Sequence, residues 1–428
     1  MTSVATPSVV TPAARLRGRL ELPADKSIGH RALIIGALSG GPSSVTLRSP
    51  GRDLLSTVAC LRALGVSVTE GADGRHLLTG RPSKDATLDC GNSGTTMRLL
   101  AGAVAGLPLR VTLDGDESLR TRPMERVATI LRAAGADVTT TDGHAPMTVS
   151  GRASLTATTH RLPVASSQLI GTAALAGLSA TGETRIEAPG PTRDHTERGL
   201  AFTGVPIHRD GLVTTLIGPA RPRPFDVTVP GDPSAASAWL IAAAVRPNAE
   251  LTMVDVGLNP TRLGLVGALQ RMGVEITTRV TDLSGPEPIG VISVRSGAPL
   301  RPVSIGGDEV AELIDELPLL AIAMATIDGQ SEVSGASELR VKESDRIAAL
   351  VAGLGAIGAD VEELPDGWRV RRGTPRDARI TTHGDHRVAI AFAVAALAGV
   401  ASAVELDDPG CVAVSYPDFW SDLVRVAQ

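Results

Sequence analysis

A polar turn running into an Ala- and Leu-rich helix occurs six times along the chain, and this repetition limits the possible folds more than any other feature. The copies are Lys26–Leu33, Gly91–Leu100, Ser166–Ala173, Gly231–Leu240, Ile314–Leu320 and Gly384–Ala391. They recur at roughly 65 to 80 residues, too long and too mixed a period for a solenoid. A second, amphipathic helix follows in each copy: Asp53–Gly65, Arg122–Gly135, Arg262–Gly273 and Arg346–Gly355. Each closing glycine suits the left-handed position after a helix. Asp194 and Glu197 read as a capping box for the weaker third copy, and the sixth, Pro417–Ala427, is cut short by the C-terminus. Short β-branched runs fill the gaps as strands: Ser44–Arg48, Leu109–Leu113, Glu183–Glu187, Glu250–Val254, Glu332–Val333 and Ala403–Leu406.

Each copy therefore reads strand–helix–strand–helix–strand–strand, an α/β (α+β) pattern. Length alone suggests three domains of about 150 residues. Three βαβαββ units make a compact domain of about 200 residues, so the six units divide three and three into two similar domains. The break falls near Pro230–Asp232, after the proline-rich stretch 219–224, and the other crossing is Pro23–Lys26. The expected partition is a disordered leader over 1–14, a first domain over 24–229, and a second made of 15–23 plus 230–428. Two crossings near one another would form a hinge, with the active site in the interdomain cleft.

Composition removes several functions. Four Phe, one Tyr and three Trp are too few for a base-stacking platform, and a net charge of −5 argues against general phosphate-backbone binding. The leader has no basic region or long apolar run, and no stretch approaches the ~18 apolar residues of a membrane span. Cys60, Cys90 and Cys411 form neither a disulfide framework nor a zinc pattern. A cytoplasmic, soluble protein follows. A local cationic cleft stays open, because field focusing depends on where charges sit.

The turns that open the helices hold most of the clustered polar residues. Lys26, Ser27 and Arg31 share one helix start; Asn92, Ser93, Gly94 and Thr95 form a small-residue turn where a ligand can approach the backbone. Ser166, Ser167 and Gln168 offer uncharged donors, and Arg122 precedes Pro123, a good first helical residue. Arg193, Arg262 and Arg346 sit in equivalent loops, and Asp385, His386 and Arg387 open the sixth helix. Singly, each has an ordinary reading as a cap or a solvated charge. Collectively, helix N-termini with matched cations describe a site for more than one anionic group. Asp315 is a carboxylate in apolar surroundings, a candidate general acid or base. Around Leu339–Ile347, Lys342, Glu343 and Arg346 lie at or just before a helix that Ser344 could cap. Lys342 and Glu343 have no counterparts in the other copies, which suggests chemistry there and binding elsewhere.

Eight motifs now stand in order: Lys26–Arg31, Gly91–Arg98, Arg122–Met124, Ser166–Gln168, Arg193–Glu197, Ile314–Pro318, Arg340–Arg346 and Gly384–Arg387. From about Leu20 to Trp420 they resemble the 5-enolpyruvylshikimate-3-phosphate synthase family, in its second bacterial subclass. The resemblance implies two domains of three βαβαββ units, an inside-out α/β barrel, closing over the substrates. It implies 3-phosphoshikimate 1-carboxyvinyltransferase activity in the shikimate pathway: the enolpyruvyl group of phosphoenolpyruvate passes to the 5-hydroxyl of shikimate 3-phosphate, releasing phosphate.

Carried over by the resemblance, Lys26, Ser27, Arg31, Ser166, Ser167, Gln168, Arg193, Asp315 and Lys342 would hold shikimate 3-phosphate. Lys26, Asn92, Gly94, Thr95, Arg122, Gln168, Arg346 and Arg387 would hold phosphoenolpyruvate. Asp315 is the expected base for the 5-hydroxyl. Glu343, with Lys26, would protonate the methylene carbon and later deprotonate the methyl, with His386 supporting. The resemblance requires no cofactor and no metal, and the expected protein is a monomer acting on small molecules, with no nucleic-acid or membrane partner. Val414 stands where many members carry a lysine, and Glu338 where members often carry Asn. Gly94 leaves room for glyphosate, a competitor of phosphoenolpyruvate in this family. One rival is the enolpyruvyl transferase acting on UDP-N-acetylglucosamine, which usually has a loop cysteine missing from Asp114–Pro123. The other is a non-catalytic anion-binding protein, which predicts lost carboxylates where Asp315 and Glu343 are present.

Overall fold

The computed structural model describes residues 9–297 and 299–428, and the chain clusters into two compact units. The first holds Ala24–Val229 with Ser284–Glu287; the second holds the chain up to Pro23, Pro230–Leu283 and Pro288–Gln428.

In the first unit, Ala86–Asp89 runs parallel to Arg110–Asp114, with the helix Gly94–Ala105 as the crossover. Such a connection is obligatory, since parallel neighbours cannot be joined by a tight turn. Arg110–Asp114 then pairs antiparallel with His144–Ser150, which pairs with Asp137–Thr141. Leu155–Thr156, Ala180–Glu187, Val213–Gly218 and Ile207–Asp210 repeat this plan around the helix Ser167–Gly177. The remaining sheet departs from it. Ser43–Thr46 takes its parallel neighbour from Asp226–Thr228, while Arg17–Glu21, the strand before the helix Lys26–Ser39, pairs with Glu250–Gly257 of the second unit's own sheet. Arg17–Glu21 thus lies in the second unit and Asp226–Thr228 in the first.

The second unit repeats the three-sheet plan around the helices Pro233–Val245, Leu317–Met324 and His386–Leu397. Its last sheet lacks the closing hairpin, and Val9–Val10 takes the vacant edge antiparallel to Ala403–Leu406. The disordered leader expected through Ala14 is corrected by this pairing: the chain is ordered from Val9, and Ala13 N–H donates to Leu397 O at 3.1 Å. The first eight positions of that leader lie outside the described residues.

The central helices are buried on all sides, as their unbroken apolar composition requires. Every residue of His386–Leu397 is buried, and every residue from Pro233 to Ala244. Small residues let them approach closely: a Cβ on Gly102 would stand 2.4 Å from Thr172 O. Their starts are fixed by side-chain caps. Asp25, Ser93, Asp232 and Asp385 accept from Ile28, Thr96, Ser234 and Arg387 N–H respectively, each worth about 1 kcal/mol.

The outer helices differ from expectation in three details. Gly65, Gly135 and Gly273 take φ values of 91°, 95° and 98°, but the fifth helix, Arg346–Ala356, runs through Gly355 and leaves the left-handed position to Gly358. Ile357, buried against the core, draws the chain past the first glycine. Its N-cap is Asp345, which accepts from Ala348 N–H, so Ser344 is not the cap. Asp194 makes no capping bond to its helix, because its carboxylate accepts from Arg198 Nε at 2.8 Å.

Candidate active site

In the first unit, the start of Lys26–Ser39 carries two cations in different settings. Lys26 Nζ is 2.8 Å from Asp53 Oδ2, a partner the sequence did not suggest. Arg31 is buried, and its hydrogen bonds all end on uncharged oxygens: Nε donates to Thr196 Oγ1 at 2.7 Å, Nη1 to Ser27 O at 2.8 Å and Nη2 to Ser167 O at 3.2 Å. Burial pulls its pKa down to about 10, and the like charge of Arg193 adds to the effect against Glu197, Asp25 and Glu287. A desolvated guanidinium without a bonded carboxylate is poised for an anion.

The turn before Gly94–Ala105 is held from two sides. Asn92 Nδ2 donates to Asp116 Oδ2 at 2.8 Å, and Arg122 Nη2 donates to Asn92 Oδ1 at 2.6 Å. Gln168 has both ends of its amide fixed: Oε1 accepts from Arg98 Nη1 and Nε2 donates to Thr95 Oγ1, each at 2.7 Å. This determines which end is donor and which acceptor. A Cβ on Gly94 would stand 2.7 Å from Arg98 Nη1 and 3.4 Å from Arg122 Nη1, so glycine leaves the space beside these guanidiniums clear. Ser166 caps its helix weakly, accepting from Leu169 N–H at 3.4 Å.

In the second unit, Arg346 organises the chemistry-bearing residues. It is 2% exposed, and Nε and Nη2 donate to the two oxygens of Asp385 at 2.8 and 3.2 Å. Nη2 also donates to Glu343 Oε2 at 2.7 Å, and Nη1 lies 3.7 Å from Asp315 Oδ1. Burial opposes the charge, but Asp385, Glu343 and Asp315 together hold the guanidinium protonated above its usual range. Asp315 and Glu343 keep 22% and 17% of their side chains exposed, so both can still meet a ligand. Ser344, expected as a cap, donates its hydroxyl to Asp385 Oδ2 at 3.0 Å. Lys342 follows the short helix Ser337–Val341 that contains Glu338, and Val414 ends the short helix Pro409–Val414. His386 and Arg387 are buried in the first turn of the sixth central helix.

Sequence reasoning gave no role to Asp53, Thr196 or Asp385, which hold Lys26, Arg31 and Arg346. Asp385 lies within the Gly384–Arg387 motif, where an aspartate at a helix start reads as a cap. It is one, and it grips an arginine as well. A second such cluster went unnoticed. Arg262 Nη2 donates to Asp232 Oδ1 at 3.0 Å and to Ser234 Oγ at 2.7 Å, and Ser234 donates to Glu316.

Arg31 with no bonded carboxylate in the first unit, and Asp315 and Glu343 beside a buried arginine in the second, suit binding of anions and proton transfer. The enolpyruvyl transferase NikO from Streptomyces tendae superposes with a TM-score of 0.78 at 21% identity, over 98% of this chain and 96% of that one. The sequence model of EPSP synthase (3-phosphoshikimate 1-carboxyvinyltransferase) matches residues 10–423, and the chain belongs to that family. It is 46% identical over 417 residues to the 3-phosphoshikimate 1-carboxyvinyltransferase of Acidithiobacillus ferrooxidans, covering 96% of this chain and 95% of its relative. The protein of that name from a Roseiflexus species is 45% identical over 435 residues, covering 98% and 99%. The solved EPSP synthase of Acinetobacter baumannii has a TM-score of 0.85 at 35% identity, covering 98% and 97%.

Proposed function

We propose that this chain transfers the enolpyruvyl group of phosphoenolpyruvate to the 5-hydroxyl of shikimate 3-phosphate, giving 5-enolpyruvylshikimate 3-phosphate and phosphate. The observation that carries this reading is Arg346, one buried guanidinium within 4 Å of both Asp315 and Glu343, in a chain whose family match spans residues 10–423.

Asp315 accepts the 5-hydroxyl proton as that oxygen attacks C2 of phosphoenolpyruvate, and Glu343 donates a proton to C3. The product of addition is a tetrahedral ketal phosphate bearing a methyl group. Glu343, now a carboxylate, takes a proton back from the methyl while the bond from C2 to the phosphate oxygen breaks, which restores the double bond. The proton held by Asp315 leaves with the phosphate. Arg346 stays charged throughout and fixes both carboxylates, so little reorganisation is needed as charge develops at C2. Lys342 steadies Asp315 and the shikimate hydroxyls, and His386 supports the same turn.

Binding falls to the cations and amides. Lys26, Ser27, Arg31, Ser166, Ser167, Gln168 and Arg193 take shikimate 3-phosphate; Lys26, Asn92, Gly94, Thr95, Arg122, Gln168, Arg346 and Arg387 take phosphoenolpyruvate, with guanidinium forks on its phosphate and carboxylate. Arg193–Glu197 with Glu338 and Val414 supports the second bacterial subclass. Glyphosate would enter beside Gly94, and an absence of inhibition at millimolar concentration would reject that. The three cysteines are free and buried, which supports a reducing, cytoplasmic setting. Among the described residues no helix is long and apolar enough to cross a membrane. We expect a monomer acting on small molecules.

The deciding measurement is phosphate release from phosphoenolpyruvate with and without shikimate 3-phosphate. Release should depend on the second substrate. Activity with UDP-N-acetylglucosamine in its place would overturn the assignment.

A further inference from the structure

The hairpin joining the strands Glu275–Asp282 and Ile289–Arg295 has a tip, Ser284–Glu287, that groups with the first unit. There Glu287 Oε1 lies 2.6 Å from His195 Nδ1, with the two side chains 3% and 1% exposed. Such burial of a charged side chain is uncommon unless it is paired, and this pair joins segments 92 positions apart. Pro286 and Pro288 flank Glu287, and each proline restricts φ at its own position and the residue before it. The carboxylate is therefore presented on stiff backbone. His195 is the first residue of the helix His195–Phe202, and the next residue, Thr196, is the hydroxyl that accepts from Nε of Arg31. Arg31 also feels the charge of Glu287 itself.

We propose that Glu287 is a positioning residue for the shikimate 3-phosphate subsite: by holding His195 at Nδ1 it locks the first turn of this helix, and through Thr196 it sets the guanidinium of Arg31. This rests on the substrate assignment above. Glu287 touches neither substrate nor reacting atoms, so its loss acts on one KM and spares the chemistry.

The test compares Glu287→Ala, Thr196→Val and the double variant with the wild type in steady-state phosphate release. Glu287→Ala should raise KM for shikimate 3-phosphate about tenfold, the scale of a lost charge-assisted hydrogen bond, while kcat and KM for phosphoenolpyruvate move less than about twofold. Because both residues act on Arg31 through one turn, adding Glu287→Ala to Thr196→Val should change that KM by less than about twofold. An unchanged KM, a parallel rise in both KM values, or effects that multiply would overturn the proposal. If Glu287→Ala does not fold, Glu287→Gln keeps the volume and one acceptor oxygen, and it must raise the same KM alone. Wild type without shikimate 3-phosphate-dependent release sinks the substrate assignment and this proposal together. Release by wild type with an unaltered KM in the variants sinks only the proposal.

Discussion

The two units share one architecture, yet the buried Arg31 of the first and the buried Arg262 and Arg346 of the second are held in opposite ways. In the first, the central helices start on Asp25, Ser93 and Ser166, and Arg31 donates to a hydroxyl and two carbonyls. In the second they start on Asp232, Glu316 and Asp385, and Arg262 and Arg346 are gripped by carboxylates. The proton affinities follow: burial pulls Arg31 down to about 10, while its carboxylates push Arg346 up. Acids stand at all three helix starts of the second unit and at Asp25 alone in the first, and Asp232 and Asp385 among them hold an arginine each. An arginine with no bonded carboxylate, Arg31, suits binding, and one that fixes Asp315 and Glu343, Arg346, suits proton transfer.

The largest effect should come from Asp315→Ala, which takes away the proposed base and leaves the cations. Turnover should fall by about 10²- to 10⁴-fold, the usual contribution of general acid–base catalysis, with substrate affinities nearly kept. Single-turnover kinetics beside equilibrium binding separates the two quantities. Unchanged turnover would remove Asp315 as the base and erase the division between the units.

Next comes the cost of removing one partner of a buried charge. Asp385→Ala removes the carboxylate bonded to both Nε and Nη2 of Arg346, and breaking such a buried pair costs about 3–5 kcal/mol. Urea unfolding should show it directly. Arg31→Met strands no bonded carboxylate, so its cost should appear in binding: a loss of about 1.5–3 kcal/mol of affinity for shikimate 3-phosphate with stability nearly unchanged. If Arg31→Met is the more destabilising of the two, the contrast drawn between the units is wrong.

Much of this was legible in the sequence because it was local. The six turns, the βαβαββ order and the motifs from Lys26 to Arg387 depend on spacing and residue type within a few positions. What stayed hidden involves partners far apart. The parallel pairing of Asp226–Thr228 with Ser43–Thr46, the edge strand Val9–Val10, and the grip of Asp385 on Arg346 each need tertiary pairing. Asp385 shows why motif reading underestimates a residue. One side chain caps a helix and neutralises an arginine 39 positions away, and its local pattern announces only the cap.

The smallest predicted effect reads the charge of Lys26 and Arg31 most directly. His30 is buried with Nδ1 2.7 Å from Thr57 Oγ1, and its pKa is held well below the ordinary 6.5, by burial first and then by Lys26 and Arg31. The imidazole is therefore neutral in the folded chain through the range where an unfolded chain protonates it. As pH falls below about 6.5, the unfolded state gains a proton the folded state refuses, so stability drops by up to about 1.4 kcal/mol per pH unit. Above about pH 7.5 both states are neutral and the group contributes no slope. His30→Gln should thus show a shallower loss of urea resistance than wild type between about pH 7.5 and pH 5.5. Shikimate 3-phosphate bound at Arg31 would offset the local positive charge, so the His30 ring should titrate at higher pH in an NMR titration of the complex. Equal acid slopes in the two proteins, or a His30 resonance indifferent to the ligand, would mean that the first unit's cations are already compensated in the free chain.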